Sequence, residues 1–347
     1  MRETSDSVML LCDTEEEYAQ LMTEFLNRQK GLPWELHTYT KVEDLLREEQ
    51  SAVEMLVVSE RAFSRELSML SPQKLVVLSE SGVMRWENVY YVDKYQEAEG
   101  VFNYLLNLYM DRLESQPPRI SGVRRGRNTC WIGNYSPVKR GMQTSFALTM
   151  SQILAREHPT LYLNFEYCAG ISELLPDMQT LDMADLLYFL NAEKDKFRLR
   201  MQTMLKRIGD LSYIPPMKAG QNLLTVTAAE WLGLLGKIEE LGEYEYVILD
   251  LSESMQGLFD ILRMCSRVYT LTREDRIARS KLLQYEQVLS LCEYGDVLNK
   301  TQRVSLSHIH RLPGELEQLT KGDLAHLVRG LISDLAKETD TETNESR

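Results

Sequence analysis

The sequence has little to offer a metal, a disulfide or a hydrolase. Its five cysteines, Cys12, Cys130, Cys168, Cys265 and Cys292, are scattered and form no Cys-x-x-Cys pair. That excludes a zinc ribbon and a disulfide framework, and makes free thiols in a reducing compartment the expectation. There is no His-Glu-x-x-His and no Gly-x-Ser-x-Gly, so a metalloprotease or a serine hydrolase has no anchor. The five histidines are dispersed, and only His308 and His310 fall two apart. On a strand that spacing puts both on one face; a metal pair and ordinary surface histidines are the two readings. No run approaches the roughly 18 consecutive apolar residues of a membrane span. The opening MRETSDSVMLLCD holds no apolar stretch of signal-peptide length, so a cytoplasmic setting is expected. Excess basic charge is missing too: the net charge is −13, which argues against strong binding to nucleic acid or anionic lipid.

What is present is enough apolar material for buried cores, 44% of 347 residues, a length that fits two domains at roughly 100–200 residues each. Residues 1–113 alternate short apolar runs with helical patterns. Strands are predicted at Ser7–Cys12, Glu35–Tyr39, Met55–Ser59, Lys74–Ser79 and Asn88–Val92, and amphipathic helices over Thr14–Asn27 and Tyr95–Leu113. Thr14 with Glu17, and Thr40 with Glu43, have capping-box spacing. Five strands alternating with helices predict a flavodoxin-like α/β domain with a parallel sheet. Residues 114–127, ESQPPRISGVRRGR, read as a linker.

A second α/β series occupies 128–337. Strands are predicted at Thr129–Asn134, Thr160–Phe165, Leu211–Pro215, Tyr244–Leu251, Arg267–Leu271 and Val304–Leu306. Helices are predicted at Gly141–Arg156, 180–191, 195–208, Thr227–Leu241 with a Thr227/Glu230 capping box, Gly257–Met264, Thr272–Leu291 and Asp323–Leu335. The tail, 338–347, lacks core-forming residues and is expected to be disordered. The basic stretch Lys194–Arg207 aligns Phe197, Met201, Met204 and Leu205, which suits a domain-packing helix or one lying on a membrane.

The most informative passage is Trp131–Leu154, a strand, a loop and a helix. In phosphate-binding NTPases this position carries a Gly-rich loop whose N–H groups surround the phosphates. A lysine reaches the β/γ-phosphates and a Thr or Ser binds magnesium. The frame Tyr135-Ser136-Pro137, followed by Thr144, Ser145, Ala147 and Leu148, resembles the deviant phosphate loop of the MinD/ParA family, in particular its TadZ/CpaE branch. The chemistry departs from that pattern: Val138 stands at the signature lysine, Lys139 and Arg140 at two glycines, Gly141 and Met142 follow, and Gln143 replaces the loop lysine. The run Tyr246–Ser254 resembles the family's Walker B strand, with Asp250 at the magnesium-associated position. Leu161–Glu166 resembles its second strand, with Asn164 and Glu166 nearest to the acidic motif.

The resemblance implies a MinD/ParA-like P-loop NTPase-type sheet with candidate nucleotide residues Lys139, Arg140, Gly141, Met142, Gln143, Thr144, Ser145 and Asp250. Thr144 and Asp250 would hold magnesium if ATP binds. With both lysines gone, hydrolysis is not expected. Nucleotide binding without turnover and a closed, empty loop both stay open, because residues 115–156 contain seven bases and no acid. The first domain resembles a response-regulator receiver with a degenerate site: Asp13 after the first strand, Ser59 or Glu60 at the acceptor position, Ser79 and Lys94. Without an acceptor Asp it implies a docking module rather than a phosphorylated switch. Altogether the resemblance implies a homodimeric localisation or scaffold factor for a Tad/Flp-type pilus secretion machine. It would contact the machine's proteins and sit at the cell pole or the inner membrane face through them.

Overall fold

The computed structural model describes residues 7–29, 34–47, 53–113, 129–139, 142–174, 181–309 and 311–345. The chain divides into two compact units, Met1–Arg119 and Ile120–Arg347. The linker reading over 114–127 lies outside the described residues.

The first unit runs β1 (Val8–Cys12), α1 (Glu16–Arg28), β2 (Glu35–Tyr39), α2 (Val42–Arg47), β3 (Val53–Ser59), a 3-10 turn at Arg65–Leu70, β4 (Lys74–Ser79), β5 (Tyr90–Asp93) and α3 (Ala98–Leu113). All strands pair in parallel, in the order β2-β1-β3-β4-β5. This is the flavodoxin-like order, whose topological switch lies between β1 and β3. All seven residues of β3 are buried, as expected of a strand covered on both faces. Asn88, at φ 61°, ends the connection before β5, so the strand starts two residues later than its apolar run suggests; Asn tolerates that left-handed backbone.

The second unit runs β6 (Cys130–Asn134), α4 (Gln143–Ala155), β7 (Thr160–Asn164), α5 (Ile171–Leu174), α6 (Met183–Tyr188), α7 (Lys194–Met204), β8 (Lys206–Ile208), β9 (Leu211–Tyr213), α8 (Gln221–Thr225) and α9 (Ala228–Leu241). It continues with β10 (Tyr246–Asp250), α10 (Leu258–Met264), β11 (Arg267–Thr272), α11 (Arg276–Leu291), α12 (Asp296–Asn299), β12 (Thr301–Ser305), a 3-10 turn at Leu316–Gln318 and α13 (Asp323–Glu345). The sheet order is β12-β11-β6-β10-β7-β9-β8, parallel except for β8 against β9. Both units are therefore α/β with mainly parallel sheets.

Three local readings change. The helix predicted over 195–208 stops at Met204, because Leu205 is extended (φ −60°, ψ 127°) and Lys206–Ile208 turns back as an edge strand. The last helix reaches Glu345, so 338–345 of the tail expected to be disordered are helical, and 346–347 lie outside the described residues; no Gly or Pro follows Gly330 to stop it. The Thr14/Glu17 capping box does not form. Glu15 caps α1 without a side-chain bond, and its N–H donates to Asp13 Oδ1 at 2.9 Å. The Thr227/Glu230 box forms as read. In α7, Phe197, Met201 and Met204 are buried together with Lys196 and Arg200, so this helix packs into the domain. Among the described residues, no helix is long and apolar enough to cross a membrane.

Candidate functional site

Two sites lie at the C-terminal ends of parallel strands, where open α/β sheets hold ligands. In the first unit, Lys94 follows β5 and its ammonium is almost wholly buried, 1% exposed. It meets Asp13 at 2.9 Å, Glu15 at 2.7 Å and Glu80 at 3.2 Å, and lies 4.7 Å from the centre of the Tyr18 ring. Burial on its own would lower the pKa of this lysine; the bonds to Glu15, Asp13 and Glu80 outweigh it and hold the pKa above its usual value. The structure thus joins Asp13 to Lys94 but leaves the acceptor candidates apart from them. Ser59 is buried at the end of β3, with no hydrogen-bond partner for its hydroxyl. Glu60 turns to the β4–β5 loop, accepting from the N–H groups of Glu80 and Ser81 at 2.8 and 2.9 Å and from the Ser81 hydroxyl at 2.6 Å. Those donors hold its carboxyl down at about 2. Ser79 contacts Glu60 at 3.4 Å. The sequence reading missed Glu15 and Glu80, which complete the cluster; each stands within two residues of a site residue already singled out, Asp13 and Ser79.

The second site is built on the turn between β6 and α4. Tyr135 packs on Tyr285 of α11, ring centres 5.3 Å apart. The Ser136 hydroxyl donates to the Leu271 carbonyl at the end of β11 (2.6 Å) and accepts from the Val138 N–H (3.2 Å). The Tyr-Ser-Pro frame is thus a structural anchor. Beyond it, Lys139 and Met142 have φ of 55° and 58°. Side chains at such φ cost roughly 1–2 kcal/mol per residue. The loop keeps a left-handed path at positions where glycines would adopt it freely. Arg140 and Gly141 lie outside the described residues.

Gln143 opens α4 and reaches back under the loop. Its Nε2 donates to Asp250 Oδ1 at 2.7 Å and to the Leu251 carbonyl at 2.8 Å. Asp250, fully buried at the end of β10, also accepts from Tyr162 Oη and Asn164 Nδ2, each at 3.0 Å, and from the Thr144 hydroxyl. Burial raises its pKa, while the Gln143, Thr144 and Tyr162 bonds oppose that rise. Four donors occupy the lone pairs of one carboxylate. The structure therefore brings Gln143, Thr144 and Asp250 together, but as a closed hydrogen-bond hub.

Above the hub is a cavity of about 360 Å³, bordered by Lys139, Ser145, Glu166, Tyr167 and Glu253 among others. Lys139 is ion-paired to Glu253. Burial, then the Asp250 charge, pushes the Glu166 carboxyl up to about 7 against the pull of Lys139. These residues do not fit a magnesium nucleotide. Asp250 and Thr144 are spent on each other and on neighbours, the described loop cation is already paired, and Glu166 and Glu253 face the space phosphates would fill. Among the described residues no cluster of His, Cys, Asp or Glu could hold a metal; His310 lies outside them.

Glu166 makes this unit sensitive to pH. Its native pKa of about 7 exceeds the ordinary 4.5, so the native state holds the proton more tightly than the unfolded chain does. The resulting stabilisation is complete below pH 4.5 and is lost as pH rises through 7. Urea midpoints at pH 5.5 and 8 should therefore fall further in the wild type than in Glu166→Gln.

No protein-family model matches the chain, and no curated protein matches it. Among solved structures it is similar to a ParA family ATPase from Chlorobium tepidum TLS, with 16% identity and a TM-score of 0.42 over 55% of this chain and 80% of that one. It is also similar to the MinC:MinD cell division protein complex of Aquifex aeolicus (12%, 0.39, covering 51% and 68%). A Cyanothece McdA–ATP complex gives 11% and 0.41, covering 52% and 71%. With TM-scores this low, the reading of the site rests on its own geometry.

Proposed function

We propose that the chain is a non-catalytic relative of the MinD/ParA positioning ATPases, a localisation or scaffold factor for assembly of a Tad/Flp-type pilus secretion machine. The observation that carries the non-catalytic part is the Gln143–Asp250 hub. A neutral amide occupies the place of the loop lysine and consumes the carboxylate that would serve magnesium. Phosphoryl transfer depends on positioned positive charge around the phosphates, and among the described residues the one loop cation, Lys139, is already ion-paired to Glu253. The pilus assignment is supported by the Tyr135-Ser136-Pro137 frame and by a receiver-like first unit whose Lys94 is already neutralised. In this reading the protein works through contacts, as a homodimer and with the proteins of the machine, at the cell pole or the membrane face.

Calorimetric titration with ATP and magnesium tests the site. The expected result is no saturable heat at millimolar ATP. Binding that Lys139→Ala or Asp250→Ala weakens would instead make the cavity a nucleotide site without turnover, and turnover abolished by Asp250→Ala would restore the active positioning ATPase. In the source cell, loss of the gene should remove surface pili, and a Lys139→Ala copy should restore them. Normal piliation without the gene would remove the pilus assignment.

A further inference from the structure

The cavity above the Gln143–Asp250 hub is short of one positive charge. Among the described residues its bordering carboxylates are Glu166 and Glu253, and its cation is Lys139. Lys139 is ion-paired to Glu253. The half-buried Glu166 carboxyl has no hydrogen bond or ion pair among the described residues, and the Lys139 charge reaches it only at longer range. That sets it apart from the other carboxylates at the strand ends. Asp250 accepts from four side chains, Asp13 meets Lys94, and Glu60 accepts from two N–H groups and a hydroxyl. A desolvated carboxylate left without a donor or counter-charge is costly, and the Asp250 charge adds to that cost at Glu166.

The rest of the wall suits an organic cation. Tyr167 borders the cavity with its side chain part-exposed. Its backbone is pinned by Gly220, where a Cβ would stand 2.0 Å from the Tyr167 carbonyl oxygen. Aromatic rings attract cations, and this chain already uses that contact, with Lys94 at 4.7 Å from the centre of the Tyr18 ring and Arg263 at 4.1 Å from that of Tyr294. The Ser145 and Ser254 hydroxyls, also on the wall, can accept from N–H groups. A volume of about 360 Å³ is at the small end of ligand pockets. A divalent metal ion is a poorer match: it takes about six oxygen ligands, and no metal-holding cluster is present among the described residues.

We propose that this cavity takes a guanidinium or primary ammonium group, held by the Glu166 carboxylate and the Tyr167 ring. The inference rests on the reading that the cavity does not take a nucleotide, and names the chemistry it takes instead. A planar guanidinium matches a carboxylate with two parallel bonds. The same group is offered by a free diffusible amine and by an arginine side chain of a partner protein.

Calorimetric titration of the full chain tests this at pH 8, where the Glu166 carboxyl is ionised. The probes are agmatine and acetyl-Gly-Arg-Gly-amide, and saturable binding of at least one is expected. Glu166→Gln should weaken it about tenfold and Tyr167→Leu about threefold, while Tyr167→Phe should not. Lys139→Ala should strengthen it, because it removes a like charge and frees Glu253. A gain in affinity does not arise from misfolding, and it is opposite in sign to the loss expected for a phosphate ligand. Tighter binding of the peptide assigns the group to a partner protein; tighter binding of agmatine assigns it to a diffusible amine. Neither probe saturating at millimolar concentration overturns the inference, as does binding that Glu166→Gln leaves unchanged or Lys139→Ala weakens. General attraction of cations to a chain of net charge −13 would be unmoved by Glu166→Gln and would fade with salt. Heat from neither ATP nor the probes would remove this inference alone; heat from ATP alone would remove both this and the nucleotide-free reading.

Discussion

Replacing Asp250 by Ala should cost the second unit about 2–4 kcal/mol, not merely alter a ligand site. The substitution removes the acceptor shared by Gln143 Nε2, Tyr162 Oη, Asn164 Nδ2 and the Thr144 hydroxyl. Each buried donor left unpaired costs about 1–3 kcal/mol. Gln143 keeps the Leu251 carbonyl at 2.8 Å and Asn164 keeps Tyr162 Oη at 2.9 Å, and removing a desolvated carboxylate recovers part of its own burial cost, so the sum stays well below four full penalties. Asp250→Asn retains an acceptor and should lose less. The sign discriminates between roles. A carboxylate kept strained for a metal typically costs stability, and its removal leaves the empty protein as stable or more so. A two-unit chain need not unfold in one step, so the loss is best read by hydrogen exchange, as faster opening of β6, β7 and β10 amides with β1 and β3 unchanged. Unchanged exchange in β10 would show that the hub is not a structural element.

Lys94→Met should be the more damaging change, about 3–5 kcal/mol, the range for breaking a buried ion pair from one side. The ammonium is the shared counter-charge of Asp13, fully buried, and Glu80, one-tenth exposed, as well as of the more open Glu15. Methionine fills much of the volume but leaves like charges facing one another. Lys94 holds the Glu15 carboxyl below its ordinary pKa, first through a hydrogen bond and then through charge. In the wild type that contribution is present above pH 4.5 and disappears as pH falls through the lowered native value. In Lys94→Met, Glu15 loses that pull and gains its proton more readily, so the deficit should be largest at pH 7–8 and shrink toward pH 4. Lys94→Met/Asp13→Asn should regain part of the loss. A deficit that does not vary with pH would mean that packing of the lysine stem, not its charge, matters.

The parallel strands were legible because strands buried on both faces are written as unbroken apolar runs: VMLLC, VVLS and YVILDL each mark one. The edges were less so. Lys206–Ile208 carries two charged residues in three and forms a strand only because β9 offers it a partner, a tertiary effect that local pattern does not contain. The departure from phosphate-loop chemistry was visible in the residue identities, and Asp250, Thr144 and Gln143 do meet. That the Gln143 amide is bonded to Asp250 and the Leu251 carbonyl was not visible, since an amide can serve a ligand or a carboxylate equally well. Nor was Glu60's departure from the acceptor position, which depends on the N–H groups of a loop lacking any helix signal.

The left-handed turns at Lys139 and Met142 stand at residues that carry side chains. The backbone path there does not depend on glycine. It is held by Ser136 on β11, Tyr135 on α11 and the placement of α4, all of which remain. A turn of this kind can therefore be held without glycine at those two positions, and a search for glycine-rich motifs would pass over it. The same rigidity should make these two positions tolerant of glycine in the laboratory. Glycines at 139 and 142 would relieve backbone cost rather than disturb the fold, leaving Gln143 as the side chain whose identity separates a filled hub from a charged cradle.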